Sequence, residues 1–263
     1  MSDHPSCIDI SHWQGFPDFE EVAAQGVVAC IMKATEGTGY VDPNRATNYI
    51  NATNAGIACC TYHWIKPGNA AAQMQFYLSV VDPAPGERMV IDYEEDGCSL
   101  DDLKEAVQVL LDDPRGLQLT VYSGHLLKEQ LGDRHDPFLA DNTDLWLAQY
   151  TSGTPSWPSG TYDYWTLWQY SETEVISGID DTNVDLNKFN GSNENLVKWI
   201  SPAGVAPPIP PQPETASVKV DITAPENVSV NVSVNGSSVS AKKRRRRIFI
   251  ERGPDVPREW EDE

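Results

Sequence analysis

Basic residues are scarce. The 263 residues carry 19 Lys and Arg against 39 Asp and Glu, a formal charge of −20 at pH 7. The deficit is sharper in residues 1–241, which hold 11 basic and 33 acidic residues; the other 8 basic residues fall in 242–263, beside 6 acidic ones. Nucleic-acid backbones are gripped by Lys and Arg, so a body this acidic argues against a nucleic-acid binder. Long apolar runs are also missing. No stretch approaches the roughly 18 consecutive apolar residues of a membrane span, and Met1–Pro5 shows no basic segment leading into an apolar one, so no secretory signal is predicted. Cysteine is sparse and odd in number: Cys7, Cys30, Cys59, Cys60 and Cys98. With no Cys-x-x-Cys pair, no His-rich cluster and no Asp-x-Asp calcium loop, neither a metal nor a cofactor is expected. The first four cysteines lie in or beside apolar runs, which predicts buried reduced thiols and folding in a reducing cytoplasm, wherever the protein acts.

Residues 6–200 read as alternating strands and helices. Expected strands are Cys7–Ile10, Val27–Lys33, Ile57–Trp64, Met89–Tyr93, Gln118–Tyr122, Leu145–Gln149, Tyr164–Tyr170 and Val184–Leu186. Several are near-continuous apolar runs, as parallel strands covered on both faces tend to be. Helices are expected at Asp18–Gln25, Asn44–Asn54, Asn69–Val80, Leu100–Leu111 and Gly124–Leu131, with Asp18, Asn44, Asn69 and Ser99 as caps and Gly26, Gly56 and Gly116 as stops. About eight strands with intervening helices predict an α/β fold, an irregular, TIM-like β/α barrel. From about 145 to 187 no helix separates the strands, and hairpin-like antiparallel pairs are expected there.

The composition shifts at Ser201. Residues 202–216 read as a proline-rich, semi-rigid linker, and 217–263 as a small β-rich appendage. Ser217–Thr223 and Val228–Val234 alternate with period two, Asn235-Gly236 is a tight-turn pair, and Val239 opens a return strand. Such strands are too few for a core of their own. Lys242–Arg247 is polybasic: a solvated charge block, a site drawn to an anionic wall polymer or membrane surface, or a nuclear-import or nucleic-acid-binding run. Residues 259–263 are expected to be disordered.

The most informative stretch is Met89-Val-Ile-Asp92-Tyr93-Glu94. Residues i and i+2 of a strand share a face, so a buried strand ends in two carboxyls on one side. Buried acids are costly without partners or a task. Glycoside hydrolysis needs such a pair, one to protonate the leaving oxygen and one to attack or stabilise the sugar carbon; the alternative is a pair of acids solvated in a loop. Barrel active sites lie at the C-terminal ends of the strands. There the sequence places Asp9, Glu36, Tyr62, Asp92, Glu94, Tyr122, Trp146, Trp168, Gln169 and Asp185, a mixture of acids and aromatics suited to a sugar cleft. His12 and His63 are expected to be structural.

Seven motifs, in order and at strand ends, resemble the muramidases of glycoside hydrolase family 25. They are Ile8-Asp9-Ile-Ser-His-Trp-Gln-Gly15, Lys33-Ala-Thr-Glu-Gly37, Ala55-Gly-Ile57 with Tyr62-His-Trp64, Asp92-Tyr-Glu94, Leu145-Trp-Leu-Ala-Gln-Tyr150, Trp168-Gln-Tyr170 and Val184-Asp-Leu-Asn187. The resemblance covers roughly three quarters of the chain, residues 6–199 within an expected catalytic domain of 1–201, and nothing beyond Pro202. It implies a peptidoglycan hydrolase cutting the β-1,4 bond from N-acetylmuramic acid to N-acetylglucosamine. Glu94 would be the general acid, Asp92 would stay ionised, and Asp9 and Asp185 would complete an acidic cluster. Glu36, Tyr62, Tyr93, Tyr122, Trp146, Trp168 and Gln169 would contact substrate. The resemblance favours retention of configuration and no metal. Peptidoglycan glycan strands are the expected partner, and the tail could add an anionic wall polymer or a phage structural protein. The missing signal, the linker and the appendage suit a phage lysin that accumulates in the host cytoplasm. A virion-associated lysin and a non-catalytic peptidoglycan- or chitin-binding module are the alternatives. A chitinase is disfavoured because Asp-x-x-Asp-x-Asp-x-Glu is absent.

Overall fold

The computed structural model describes residues 6–179, 183–201, 229–234 and 237–242. The chain divides into two units, Met1–Pro208 and Ile209–Glu263. In the first, β1 (Cys7–Ile10), α1 (Phe19–Ala24), β2 (Ala29–Glu36), β3 (Tyr40–Val41), α2 (Arg45–Asn54), β4 (Ala58–Trp64), α3 (Ala70–Val81), β5 (Arg88–Asp92) and α4 (Leu100–Leu111) form its first half. They are followed by β6 (Gln118–Ser123), α5 (His125–Leu131), α6 (Pro137–Asn142), β7 (Asp144–Ala148), β8 (Leu167–Glu174), β9 (Val184–Phe189) and α7 (Asn193–Ile200).

The strand order β1-β9-β8-β7-β6-β5-β4-β2, with β1 also paired to β2, closes an eight-stranded barrel; β3 folds back on β2 outside it. Every barrel pairing is parallel except those of β9, which runs antiparallel to both β1 and β8. The expectation of antiparallel pairs late in the barrel therefore holds for β8–β9 and fails for β7–β8. Residues 149–166 carry no helix, yet they cross back far enough to start β8 in the direction of β7.

Local chemistry sets the helix limits. Asp18 accepts from the Glu20 and Glu21 amides, and Ser99 forms a reciprocal capping box with Asp102. Asn44 and Asn69 make no cap bond; the Asn44 amide instead holds the His12 and Gly15 carbonyls. Gly56 ends the turn after α2 at φ +81°, a conformation that favours glycine. All five cysteines are buried free thiols. Among the described residues no helix is long and apolar enough to cross a membrane.

Strand alternation divides the core. One set of side chains (Cys7, Ile31, Cys60, Val90, Tyr122, Trp146 and Leu167) fills the barrel, while their neighbours pack outward under the helices. The bottom of the barrel is latched by Arg88, at the start of β5. Its guanidinium is buried, donates to the Trp199 carbonyl (2.6 Å), Thr120 Oγ1 (2.7 Å) and Asp144 Oδ2 (2.8 Å), and lies 4.0 Å from the Trp199 ring. The Trp199 indole N–H donates to the same Asp144 oxygen at 2.7 Å. One carboxylate thus joins β5, β7 and α7.

In the second unit, β10 (Ser229–Val234) and β11 (Ser237–Lys242) pair antiparallel, with Val232 opposite Val239. The expected strands around 228–234 and at Val239 are present. The expected strand Ser217–Thr223, the linker 202–216, the run 243–247 and residues 259–263 lie outside the described residues.

Candidate active site

Four carboxyls meet at the end of the barrel where the parallel strands terminate. Asp9 leaves β1 inward, and Asp92 ends β5 inward, with Glu94 two residues on returning to the same side. Asp185 sits at the start of β9. Because β9 is antiparallel, its beginning lies at the end where its neighbours finish, and Asp185 pairs directly with Asp9.

A polar frame supports this ring from below. The Gln169 side-chain amide donates to Asp9 Oδ1 (3.2 Å) and Oδ2 (3.1 Å) and to Asp185 Oδ2 (3.3 Å). Its carbonyl accepts from the Tyr122 hydroxyl (2.7 Å) and the Tyr150 hydroxyl (2.9 Å). Asn187 donates to Asp9 Oδ2 (2.7 Å) and is itself fixed by the Trp146 indole N–H (2.7 Å). These partners leave each amide one orientation.

The ring holds protons tightly. Burial pushes Asp185 up to about 8, aided by the charge of Asp9 and a hydrogen bond to it. Burial also lifts Asp9 to about 6, against the hydrogen bonds from Asn187, Gln169 and Asp185. The two titrate as a coupled pair. Burial, then Asp185, raises Glu94. Asp92 is raised well above the usual range by burial and then by the charge of Glu94. Its Oδ1 is buried with no hydrogen-bond partner among the described residues. The expectation that Asp92 stays ionised runs against this direction: desolvation beside a second acid favours the neutral form.

Raised carboxyl values make the ring a pH-dependent element of stability. An unfolded Asp titrates near 4, so the folded state binds the Asp185 proton more tightly. That contribution is complete in acid and is lost as the pH rises from about 4 through 8. Thermal melts are expected to show a larger fall in Tm between about pH 5 and pH 9 for the wild type than for Asp185→Asn, whose amide donates to Asp9 at every pH. Equal falls would remove the pair from that role.

The structure sorts the expected contact residues. Tyr62, Tyr122 and Gln169 face the ring, and Glu36 lies at its rim. Trp146 is buried, with its ring edge-on to Tyr122 at 4.6 Å; it braces Asn187 and offers no face to a sugar. Tyr93 and Trp168 are corrections. Each neighbours an inward residue and so points outward. Tyr93 is 0% exposed in the helix-covered core, its hydroxyl donating to Gln130 and the Cys98 carbonyl. Trp168 packs in the same core and donates to the Gln149 carbonyl. Residues absent from the expected set but present in the site are Lys33, Tyr150 and Asn187. All three lie inside the motifs that drew attention to their neighbours.

His63 is buried, bonded to Thr35 Oγ1 (2.7 Å) and Gln73 Oε1 (3.3 Å), and pushed down to about 4 by burial. His12 is held by Asp42 at 3.3 Å. No group of three or more His, Cys, Asp or Glu among the described residues is arranged to hold a metal ion.

A β/α barrel with clustered carboxyls at the C-terminal ends of its parallel strands has the groups that glycoside hydrolysis needs. The family model for glycosyl hydrolases family 25 matches residues 8–179, and the chain belongs to that family. It is 30% identical over 221 residues to Lysozyme M1 of Streptomyces globisporus, covering 72% of this chain and 69% of that one. It is 25% identical over 222 residues to the N,O-diacetylmuramidase of Chalaropsis sp, covering 72% and 96%. The crystal structure of a bacterial lysozyme from Streptomyces coelicolor superposes with a TM-score of 0.67 at 28% identity, covering 77% of this chain and 99% of that one.

Proposed function

We propose that this enzyme cleaves the β-1,4 bond from N-acetylmuramic acid to N-acetylglucosamine in peptidoglycan, with Glu94 as the proton donor. The observation that carries the reading is the unpartnered, buried Asp92 Oδ1 beside Glu94. A buried acceptor without a donor is costly in the free protein, and a substrate acetamido N–H supplies the missing donor. That hydrogen bond favours the charged form of Asp92, so substrate binding ionises it and aligns the acetamido group with the sugar carbon. Glu94, raised by burial and by Asp185, then gives its proton to the glycosidic oxygen. The Asp9–Asp185 pair adds negative potential where oxocarbenium character develops. With an acetamido group placed in this way, the anomeric configuration is retained.

The substrate assignment draws on the lysozyme and N,O-diacetylmuramidase relatives. Mass spectrometry of digested wall tests it: new reducing ends are expected to be N-acetylmuramic acid. N-acetylglucosamine reducing ends would assign a different bond, and wall binding without new ends would leave a non-catalytic module. In the same reading the protein serves a phage in lysing its host, accumulating in the host cytoplasm and reaching the wall on release. A barrel carrying a short β-rich appendage supports this. Co-sedimentation with phage particles separates it from a virion-associated lysin.

A further inference from the structure

Among the described residues little positive charge acts on the acid ring, and one ammonium is held near its rim. Lys33 lies on β2 next to Tyr62 in the parallel register with β4, and its side chain is buried. Its Nζ lies 4.9 Å from the centre of the Trp64 ring and 5.5 Å from that of Tyr40, and donates to Glu36 Oε2 at 2.6 Å. Trp64 is the register partner of Asp92 across β4 and β5. The ammonium is therefore held between the rim carboxylate Glu36 and the strand end that carries the acid pair. The rim fixes it further: Lys66 bridges Glu36 (3.0 Å) and Glu95 (3.2 Å), and Glu95 accepts from the Trp64 indole N–H (3.0 Å).

We propose that Lys33 is a positioning residue for the reaction, a counter-charge that keeps the Asp92–Glu94 pair to a single shared proton at working pH, with Glu36 setting how much of that charge reaches the pair. The inference rests on the reading of Asp92 and Glu94 given above.

The charged surroundings are consistent with it. Of the groups acting most strongly on Asp92, Glu94, Asp9 and Glu36 are acidic and raise it; Lys33 alone is positive and lowers it. Glu94 is raised by Asp185 and Glu95 and lowered by His125 of α5 and by Lys33. From β4 and β6, Tyr62 and Tyr122 face the carboxyls as neutral phenols whose titration burial pushes far upward. Behind Asp185 lies Glu172 of β8. A purely structural lysine would need its partner Glu36 and nothing else. This one also acts through its charge on two acids whose protonation the chemistry requires to differ.

The sign of the effect distinguishes the two roles. The limbs of the kcat/KM profile report the free enzyme's titrating pair. Removing a positive charge raises both macroscopic values, and removing a negative charge lowers them. Lys33→Met is expected to move the acidic limb up by about 0.5–1 pH unit, and Glu36→Gln to move it down by a smaller amount. Lys33→Arg is expected to return the limb to near its wild-type place. Shifts of the same sign in Lys33→Met and Glu36→Gln, or no shift in either, overturn the proposal, because loss of a structural ion pair affects both variants alike. If Lys33→Met does not fold, the downward shift in Glu36→Gln decides. An active Glu94→Gln enzyme would instead remove the underlying acid assignment, an outcome separate from any shift of the limbs.

Discussion

Replacing Glu94 by Gln is expected to lower kcat by about 10²–10⁴-fold, the range typical for loss of a general acid, while binding of isolated cell wall stays within a few-fold. The separation follows from the site. Gln is isosteric and keeps the contacts of Glu94, but it has no proton to give. Asp92, Asp9, Asp185 and their amide frame stay in place, since none of the hydrogen bonds from Gln169 or Asn187 ends on Glu94. Release of reducing ends from purified wall measures the first quantity, and a pull-down with the same wall measures the second. Clearing by the variant at the wild-type rate would take the acid role from Glu94 and return it to Asp92 or Asp185, whose affinity for a proton burial also raises.

The largest effect on stability is expected far from this chemistry. Asp144→Ala strips the buried Arg88 guanidinium of its carboxylate and the Trp199 indole of its acceptor in one step. Breaking a buried ion pair from one side costs about 3–5 kcal/mol. Asp144 is 36% exposed in its side chain, which lets water reach the stranded charge. The lower end applies: about 3 kcal/mol, or a fall in Tm of about 6–12 °C for a domain of this size. Thermal melts monitored by circular dichroism check this. A fall of less than about 2 °C would mean that Thr120 and the Trp199 carbonyl suffice for Arg88. Activity on soluble glycan fragments below the melting range is expected to persist, because the latch and the acid ring occupy opposite ends of the barrel.

Much of the barrel was legible because its local chemistry is unambiguous. Cys7–Ile10 and Leu100–Leu111 fall where the sequence places them, the second because Ser99 and Asp102 close a capping box. Other elements depend on distant partners. α7 carries a Ser192 cap on the Asn195 amide, but Asn193 and Asn195 in its first turn are weak helix formers, and it is held in place by what Trp199 reaches, a partner distant in sequence. α6 did announce itself, through Asp136 capping the Leu139 amide with Pro137 in the first helical position, yet at six residues it is shorter than the apolar period needed to reveal it. At the site, the four acids follow from strand ends alone. Tyr93 and Trp168 were misplaced by residue type: both aromatics lie within site motifs, but the two-residue alternation that turns Asp92 and Gln169 inward turns these two outward. Lys33 obeys the same alternation. Its role depends on a charge balance assembled from β1, β2, β5 and β9, which sequence order scatters over more than 150 residues.

The antiparallel strand that closes the barrel, β9, has a consequence for biosynthesis. β1 leaves the ribosome well before β9, and one of its two edges stays unpaired until Asn187 arrives opposite Cys7. Arg88 waits in the same way for Trp199. A nascent chain that has delivered β1 to β8 is an open sheet with two sticky margins and an unneutralised guanidinium. Chains stalled or clipped in that interval are the ones chaperones and proteases would meet, and the finished hydrolase emerges only when the last strand zips the first.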